Sequence, residues 1–130
     1  MEVVPMSAAA MTWAQLKAYC LAKPGAWQDE PWEGDLVVKV GDKIFAFLGS
    51  APRGPERAAS VGLKCGPDRD TADEWLLRYP EAASASAYIG RYGWNSLALG
   101  GPIPDDELLA AVDDSYDAVV ARLPKRSRPS

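Results

Sequence analysis

The sequence predicts an α+β fold, in which an antiparallel β-sheet carries the N-terminal and C-terminal helices on one face. Apolar residues recur at helical spacing near both ends of the chain, and between the ends they alternate with period two. The chain has 130 residues, 48% of them apolar, which suits one core. We expect a single domain over 12–124, between a flexible N-terminal extension at 1–11 and a flexible basic tail at 125–130.

The first helix begins at a capping box. Thr12 and Gln15 have the spacing at which each side chain pairs with an otherwise unpaired backbone N–H of the first turn. Leu16 and Cys20 then recur on one helical face. The residues K-P-G at 23–25 end the helix, because proline and glycine both disfavour its continuation.

A β-hairpin follows the first helix. Apolar residues alternate over 36–40 and again over 44–48, and Gly41-Asp42 provides the turn. Phe45 and Phe47 alternate with further apolar residues, so the second strand is apolar on both faces. This pattern predicts a central position in the sheet.

The middle of the chain supplies a loop, a strand and a second helix. Residues 49–58 are rich in Gly and Pro and predict a loop, and a third strand follows over 59–65. Thr71 and Glu74 have the spacing of a second capping box, and Pro80 ends the helix that they open.

The C-terminal part contains the clearest helix. Residues 82–93 are rich in Ala, Ser and Gly and predict an irregular segment, followed by a short strand over 94–99. Over 105–123 the apolar residues keep helical spacing, so this helix is expected to pack along the sheet. The apolar stripe consists of Leu108, Leu109, Val112, Tyr116, Val119, Val120 and Leu123.

The composition excludes several kinds of active site. The chain contains no histidine, which removes every His-based triad or general base and disfavours a conventional zinc site. Cys20 and Cys65 lack metal-ligand spacing and lie in apolar segments, so we interpret them as buried, reduced thiols. We therefore predict a protein with no catalytic residue, no bound metal and no cofactor.

Charge and hydropathy limit the partners. A net charge of −4 disfavours a surface built throughout for a polyanion. The N-terminus lacks the basic residues of a secretory signal, and no segment approaches the ~18 apolar residues of a membrane span. We expect a cytoplasmic protein with no membrane partner. An acidic group in the first loop offers oxygen ligands for a hard cation, but solvation explains it more simply. Its members are Asp29, Glu30, Glu33 and Asp35.

Six sequence words occur in order along residues 12–125. They are Y-C-L-A-K-P-G-A from Tyr19, L-V-V-K-V-G-D-K-I-F-A from Leu36, V-G-L-K-C from Val61, R-Y-P from Arg78, W-N-S-L from Trp94 and D-D-S-Y-D-A-V-V-A-R-L-P-K from Asp113. In these words the chain resembles the MmcQ/YjbR family of small bacterial proteins. The resemblance implies a CyaY-like, frataxin-like fold and DNA binding of a "double wing" type. The family usually carries a histidine before the W-N word, whereas this chain reads Y-I-G-R-Y-G.

Basic residues collect on the predicted hairpin, the following loop and the third strand. Between Leu36 and Pro67 the Lys and Arg residues outnumber the acids Asp42 and Glu56. Phosphate contacts from this patch would give weak, electrostatic DNA binding with little base readout, although an ordinary solvated surface carries the same charges. The candidate nucleic-acid-binding residues are Lys39, Lys43, Arg53, Arg57 and Lys64.

Aromatic residues form a second candidate site. Rings in loops beside a sheet edge stack on planar ligands, while neighbouring polar groups supply directional hydrogen bonds. The alternative is that individual rings fill the core and that the asparagine ties a turn. The candidate ligand-binding residues are Trp32, Tyr88, Arg91, Tyr92, Trp94 and Asn95, with Trp27 nearby in sequence to Trp32.

These observations predict a non-enzymatic binding protein whose working surface joins the basic hairpin and loop to the aromatic segment 88–95. DNA, bound through the basic hairpin and loop, is the predicted partner. The alternative is a planar small molecule, bound in an aromatic pocket. The family takes part of its name from an antibiotic biosynthetic cluster, which implies sequestration of an antibiotic in self-resistance as one form of this alternative.

Overall fold

The computed structural model describes residues 11–49, 59–87 and 89–129, and within them the chain forms three α-helices and six strands. The elements in chain order are α1 (Trp13–Leu21), β1 (Ala26–Trp32), β2 (Asp35–Val40), β3 (Lys43–Gly49), β4 (Ser60–Lys64), α2 (Arg69–Arg78), β5 (Ala83–Ala85), β6 (Trp94–Ala98) and α3 (Asp105–Val120). Short 3₁₀ turns lie at Gly90–Tyr92 and Lys125–Ser127. The strands form one sheet in the order β1-β2-β3-β4-β6-β5, with every pair antiparallel. The α+β class is therefore confirmed.

The helices cover one face of this sheet. Val38, Ala46, Leu63 and Asn95 are cross-strand neighbours in a buried row. Ser115 of α3 joins the helix to this row's strands, because its Oγ accepts from the Lys64 N–H at 3.0 Å and donates to the Phe45 carbonyl at 2.7 Å. Its hydroxyl therefore satisfies two polar backbone groups beneath the helix.

Helix α1 lies against the same core. Its capping box is present as predicted: Thr12 Oγ1 accepts from the Gln15 N–H, and Gln15 Oε1 accepts from the Thr12 N–H. Leu16 and Cys20 are fully buried. Trp13 anchors the helix to β3, because its indole N–H donates to the Leu48 carbonyl at 2.9 Å. The two terminal helices are thus on one face of the sheet.

Part of the segment that was predicted to be the first loop forms strand β1. Asp29 and Glu30, expected in a loop, lie on edge strand β1, and Asp29 pairs with Val37 across the ladder. The acidic sequence gave no alternating apolar signal because most of β1 is exposed. Backbone pairing with β2 gives the segment its conformation despite its polar sequence.

A β-bulge overrides the simple alternation in β3. Val38 pairs with Ala46 and Lys39 pairs with Ile44, so Phe45 is an extra residue on its strand. Phe45 is fully buried, and its ring packs edge-to-face on Tyr116 of α3 with centroids 5.2 Å apart. Alternation alone would place Phe45 on the face of Phe47.

Helix α2 begins earlier than the sequence suggested. Asp68 is its N-cap and accepts from the Thr71 N–H at 3.1 Å, so the predicted box of Thr71 with Glu74 is wrong. Both residues lie inside the helix. The aspartate competes successfully for the cap because its carboxylate accepts hydrogen bonds from the first turn.

The segment 82–93 contains more order than its composition predicts. Ala83–Ala85 pairs with β6 as a short edge strand, and Gly90–Tyr92 forms a 3₁₀ turn. The tail, predicted to be flexible, forms a turn at Lys125–Ser127, and Arg128 donates to the Leu123 and Ala121 carbonyls. None of the helices in the described part of the chain is long and apolar enough to cross a membrane.

Two of the six sequence words meet at the junction of α1 and α3. Lys23 forms an ion pair with Asp113, and the Tyr19 hydroxyl donates to the same carboxylate at 2.8 Å. The Lys23 ammonium also lies 5.1 Å from the Tyr19 ring centroid and 5.7 Å from that of Tyr116. These contacts join the first and last sequence words, and they act as a clamp between the two terminal helices.

This clamp predicts a pH-dependent contribution to stability. Burial opposes the charged forms, but the Lys23–Asp113 pair outweighs it, so the pKa of Asp113 is lowered and that of Lys23 is raised. The contribution of Asp113 to the free energy of unfolding is lost as pH falls below about 4. The contribution of Lys23 is lost as pH rises above about 10. Asp113→Asn should cost up to about 1 kcal/mol near neutral pH, because the pair is half-exposed.

Urea unfolding at acidic, neutral and alkaline pH measures this effect. The exposed neighbour Asp114→Asn is the matched control, and its stability should follow the wild type at every pH. A constant difference between Asp113→Asn and wild type across the whole range would contradict the clamp.

Candidate functional site

The face of the sheet opposite the helices carries a row of small and aromatic residues. Val37, Phe47, Gly62, Ser96 and Ser84 are cross-strand neighbours there. A Cβ at Gly62 would lie 3.2 Å from that of Phe47, so the glycine leaves room for the Phe47 side chain. The row thus places an aromatic ring beside small neighbours.

A cavity of about 530 Å³ lies at the end of the sheet where the β2–β3 turn and the end of α3 meet. This volume lies within the usual range of small-molecule sites, about 300–1,000 Å³. The turn between β2 and β3, the end of β4, the start of β6 and the end of α3 meet around it. The described lining residues are Lys39, Asp42, Lys43, Ile44, Lys64, Pro67, Tyr92, Trp94, Val119 and Arg122.

Two rings form the aromatic wall of the cavity. Trp94 is half-buried, and its ring packs edge-to-face on the Phe47 ring with centroids 5.4 Å apart. Phe47 therefore helps to hold the Trp94 ring in position. Tyr92 is 51% exposed. Arg91 lies over the Tyr92 ring at 4.9 Å and donates to its hydroxyl at 2.8 Å. These contacts limit the positions of both rings before any ligand binds.

Lys64 places a positive charge beside that wall. Its ammonium donates to the Tyr92 carbonyl at 2.6 Å, which attaches the end of β4 to the aromatic turn. Burial and the nearby Arg122 guanidinium together lower the pKa of Lys64. The site therefore has a positive potential that an anionic group would relieve.

Lys39 and Lys43 extend the positive rim along the hairpin. Lys39 pairs with Asp29 at 2.9 Å and lies 5.1 Å from the Trp27 ring centroid. Trp27 is 44% exposed and donates to the Gly41 carbonyl at 2.9 Å. Lys43 is exposed and has no salt bridge to any described residue.

Arg69 holds the turn that carries the aromatic wall. Its guanidinium donates to the Gly90 carbonyl at 2.8 Å and to the Trp94 carbonyl at 3.2 Å. It also donates to Asn95 Oδ1 at 2.7 Å and pairs with Asp73 at 2.7 Å. Helix α2 thereby fixes both ends of the turn, so Arg69 acts as a positioning residue for the cavity.

The structure brings together residues from both predicted sites. Lys39, Lys43 and Lys64 from the basic set line the same cavity as Tyr92 and Trp94 from the aromatic set. The sequence predicts one working surface formed by both sets, and the cavity contains these five of their members. They meet because the β2–β3 turn and the start of β6 lie at the same end of the sheet.

Other predicted residues lie elsewhere. Asn95 is fully buried on the helix side, where its amide donates to the Ala72 carbonyl at 2.9 Å, so it holds α2 on the sheet and does not line the cavity. Trp32 is 62% exposed at the far end of β1. Arg91 contacts Tyr92 from outside the lining. Arg53, Arg57 and Tyr88 lie outside the described residues.

Sequence reasoning missed Arg122 at the cavity. It lies just beyond α3, inside the quoted word D-D-S-Y-D-A-V-V-A-R-L-P-K, where its charge suggests only a solvated helix end. Arg122 is far from the β2–β3 hairpin in sequence, so no local pattern indicated that they would lie at the same cavity. Ile44 was assigned to the hairpin without a role in a site, although it lines the cavity.

The described residues of the site offer neither a metal-binding cluster nor an activated thiol. No group of three or more His, Cys, Asp or Glu side chains in the described ranges is arranged to hold a metal ion. Cys20 and Cys65 are free thiols, and burial raises the pKa of Cys65 to about 11 and that of Cys20 to about 12. Neither thiol is therefore activated as a nucleophile at neutral pH.

A family model described as YjbR matches residues 21–118 of the chain. The protein named "Uncharacterized protein YjbR" from Escherichia coli K12 is 32% identical over 120 residues, covering 91% of this chain and 95% of the relative. The chain belongs to the MmcQ/YjbR family. The match includes the hairpin, Lys64, Tyr92 and Trp94, and it ends before Arg122.

Solved structures support the fold of this YjbR-family chain. The Deinococcus radiodurans protein DR2400, described by the family-model domain DUF419, has a TM-score of 0.76 and 21% identity over 89% of this chain and 84% of that chain. A Pseudomonas syringae protein has a TM-score of 0.62 and 21% identity over 83% of this chain and 98% of that one. These likenesses establish the architecture. The likeness to frataxin stays a prediction.

Proposed function

We propose that this YjbR-family protein is a non-enzymatic binding protein that takes a planar small molecule into the cavity beside Tyr92 and Trp94. The supporting observation is that three predicted basic residues and two predicted aromatic residues line one cavity: Lys39, Lys43, Lys64, Tyr92 and Trp94. Their placement around a cavity favours a small ligand over an extended polymer. An antibiotic with a planar ring system belongs to this ligand class.

The aromatic wall would supply most of the affinity. Stacking on an aromatic side chain contributes about 1–3 kcal/mol per ring, on the scale measured for nucleobases. Arg69 and Phe47 hold the wall in place, so little conformational entropy is lost on binding. The lysines at the rim would then orient the ligand.

DNA is the second candidate, and one observation favours it. Lys39, Lys43, Lys64 and Arg122 lie at one end of the sheet, and Asp42 is the acid that accompanies them in the described lining. Such a patch would contact phosphates without reading bases. The net charge of −4 predicts that this binding is weak and falls steeply between low and physiological salt.

Nuclear magnetic resonance titrations of protein with isotope-labelled tryptophan distinguish the two candidate ligands. The chain has five tryptophans, and their indole N–H signals are assigned by single Trp→Phe variants. Naphthalene carboxylate is expected to shift the Trp94 signal most, and Tyr92→Ala should raise its dissociation constant about tenfold. A short DNA duplex serves as the competing titrant in the same samples.

Trp32→Ala is the matched control, because Trp32 is an exposed ring outside the cavity. It should leave naphthalene carboxylate binding unchanged. Absence of any Trp94 shift with the aromatic acid, together with a duplex titration that Lys43→Glu abolishes, would overturn the small-molecule proposal and support DNA.

A further inference from the structure

A second cavity adjoins the first and shares its central residues. It has a volume of about 440 Å³ and lies between the start of α2 and the end of α3. Lys64, Pro67 and Arg122 line both cavities. The remaining described lining consists of Cys65, Gly66, Thr71, Asp114 and Ala118.

The two cations at this junction lack an acidic partner. No salt bridge joins Lys64 or Arg122 to a carboxylate in the part of the chain that the structure describes. The Lys64 ammonium has a neutral backbone partner, the Tyr92 carbonyl. Arg122 is exposed; burial of Lys64 and the charge of Arg122 together lower the pKa of the Lys64 ammonium. Two neighbouring cations that form no salt bridge favour the binding of an anion.

The two cavities differ in chemical character. The first has Tyr92, Trp94 and Ile44 on its walls, whereas the second has the hydroxyl of Thr71 and the carboxylate of Asp114. A flat apolar ring fits the first lining, and a hydroxyl or amine substituent fits the second. The shared cations lie between these two environments.

We infer that the two cavities form one site for an aromatic oxyanion, with its carboxylate or phosphate group held between Lys64 and Arg122. The ring of this ligand lies against Tyr92 and Trp94. The second cavity receives a hydrogen-bonding substituent. This inference rests on the proposed function and narrows it from planar small molecules to planar anions.

Four probes test the charge requirement by titration: naphthalene carboxylate, naphthyl phosphate, the neutral naphthalene carboxamide and inorganic phosphate. Both anionic aromatics should bind about tenfold more tightly than the carboxamide, because the neutral probe loses the attraction between its negative charge and the two cations. Inorganic phosphate should compete with naphthalene carboxylate. The preferred aromatic anion identifies whether the group is a carboxylate or a phosphate.

Arg122→Gln tests the residue assignment. This exposed side chain forms no hydrogen bond or ion pair with the residues that the structure describes, so the variant should fold with unchanged melting. It should weaken naphthalene carboxylate binding about tenfold and weaken carboxamide binding much less, because the carboxamide carries no charge for the guanidinium to attract. The control is Arg126→Gln, because Arg126 is an exposed arginine close in sequence that lines neither cavity.

The outcomes distinguish this inference from the proposed function. Equal affinity for the carboxamide and the carboxylate, or unchanged carboxylate binding in Arg122→Gln, would overturn the oxyanion site while the planar-ligand proposal stands. Failure of all three aromatic probes to bind would overturn both.

Discussion

Replacing Val112 with Asp is expected to unfold the domain. Val112 is fully buried in the centre of α3, among the residues that pack this helix on the sheet. The new carboxylate would have no partner there, and burial of an unpaired charge costs about 4 kcal/mol or more. Circular dichroism and thermal melting should show loss of the cooperative transition at room temperature.

Ala110→Asp provides the matched control for this prediction. Ala110 lies on the exposed side of the same helix, so the same new charge should remain hydrated and leave the melting transition in place. A native-like cooperative melt for Val112→Asp would show that α3 does not form the centre of the core.

Gly93→Ala is expected to disrupt the aromatic turn and the cavity together. Gly93 has a φ of 90°, and an added Cβ would lie 2.0 Å from the Gly66 carbonyl oxygen. The Cys65 N–H donates to the Gly93 carbonyl at 2.6 Å, so the two backbones cannot separate without breaking this bond. The strained backbone alone costs about 1–3 kcal/mol, before the steric clash is added.

Chemical denaturation and naphthalene carboxylate titration measure the two consequences. The variant should lose stability and should also lose binding, because Tyr92 and Trp94 flank the displaced glycine. Gly101→Ala is the control, since a Cβ there meets no atom within 4 Å. Wild-type stability in Gly93→Ala would contradict the close approach of the two backbones.

Local patterns were enough to predict much of the scaffold. The capping box at Thr12 and the apolar spacing of α3 depend on residues a few positions apart, so the sequence displays them directly. The β2–β3 hairpin was predictable for the same reason, because its turn and the alternation of its apolar residues are local in sequence. The family words could be recognised for a related reason: each is a short contiguous segment.

The physical role of those words became visible only in the folded chain. The Y-C-L-A-K word and the D-D-S-Y word meet in the clamp of Lys23 with Asp113. Arg78 of the R-Y-P word pairs with Glu107 at 3.0 Å, and Tyr79 donates to the same carboxylate at 2.9 Å. Each contact joins residues about 30 to 90 positions apart, which no local period encodes.

The sequence by itself determined the α+β class, the terminal helices and the supply of basic and aromatic residues. Tertiary structure decided which of them share a site: it buried Asn95 beneath α2, and it brought Arg122 beside Lys64. Side-chain direction depends on strand register, on the bulge at Phe45 and on where a helix ends against the sheet. Those features are set by packing between distant segments, and therefore the binding site emerges only when the whole domain has folded.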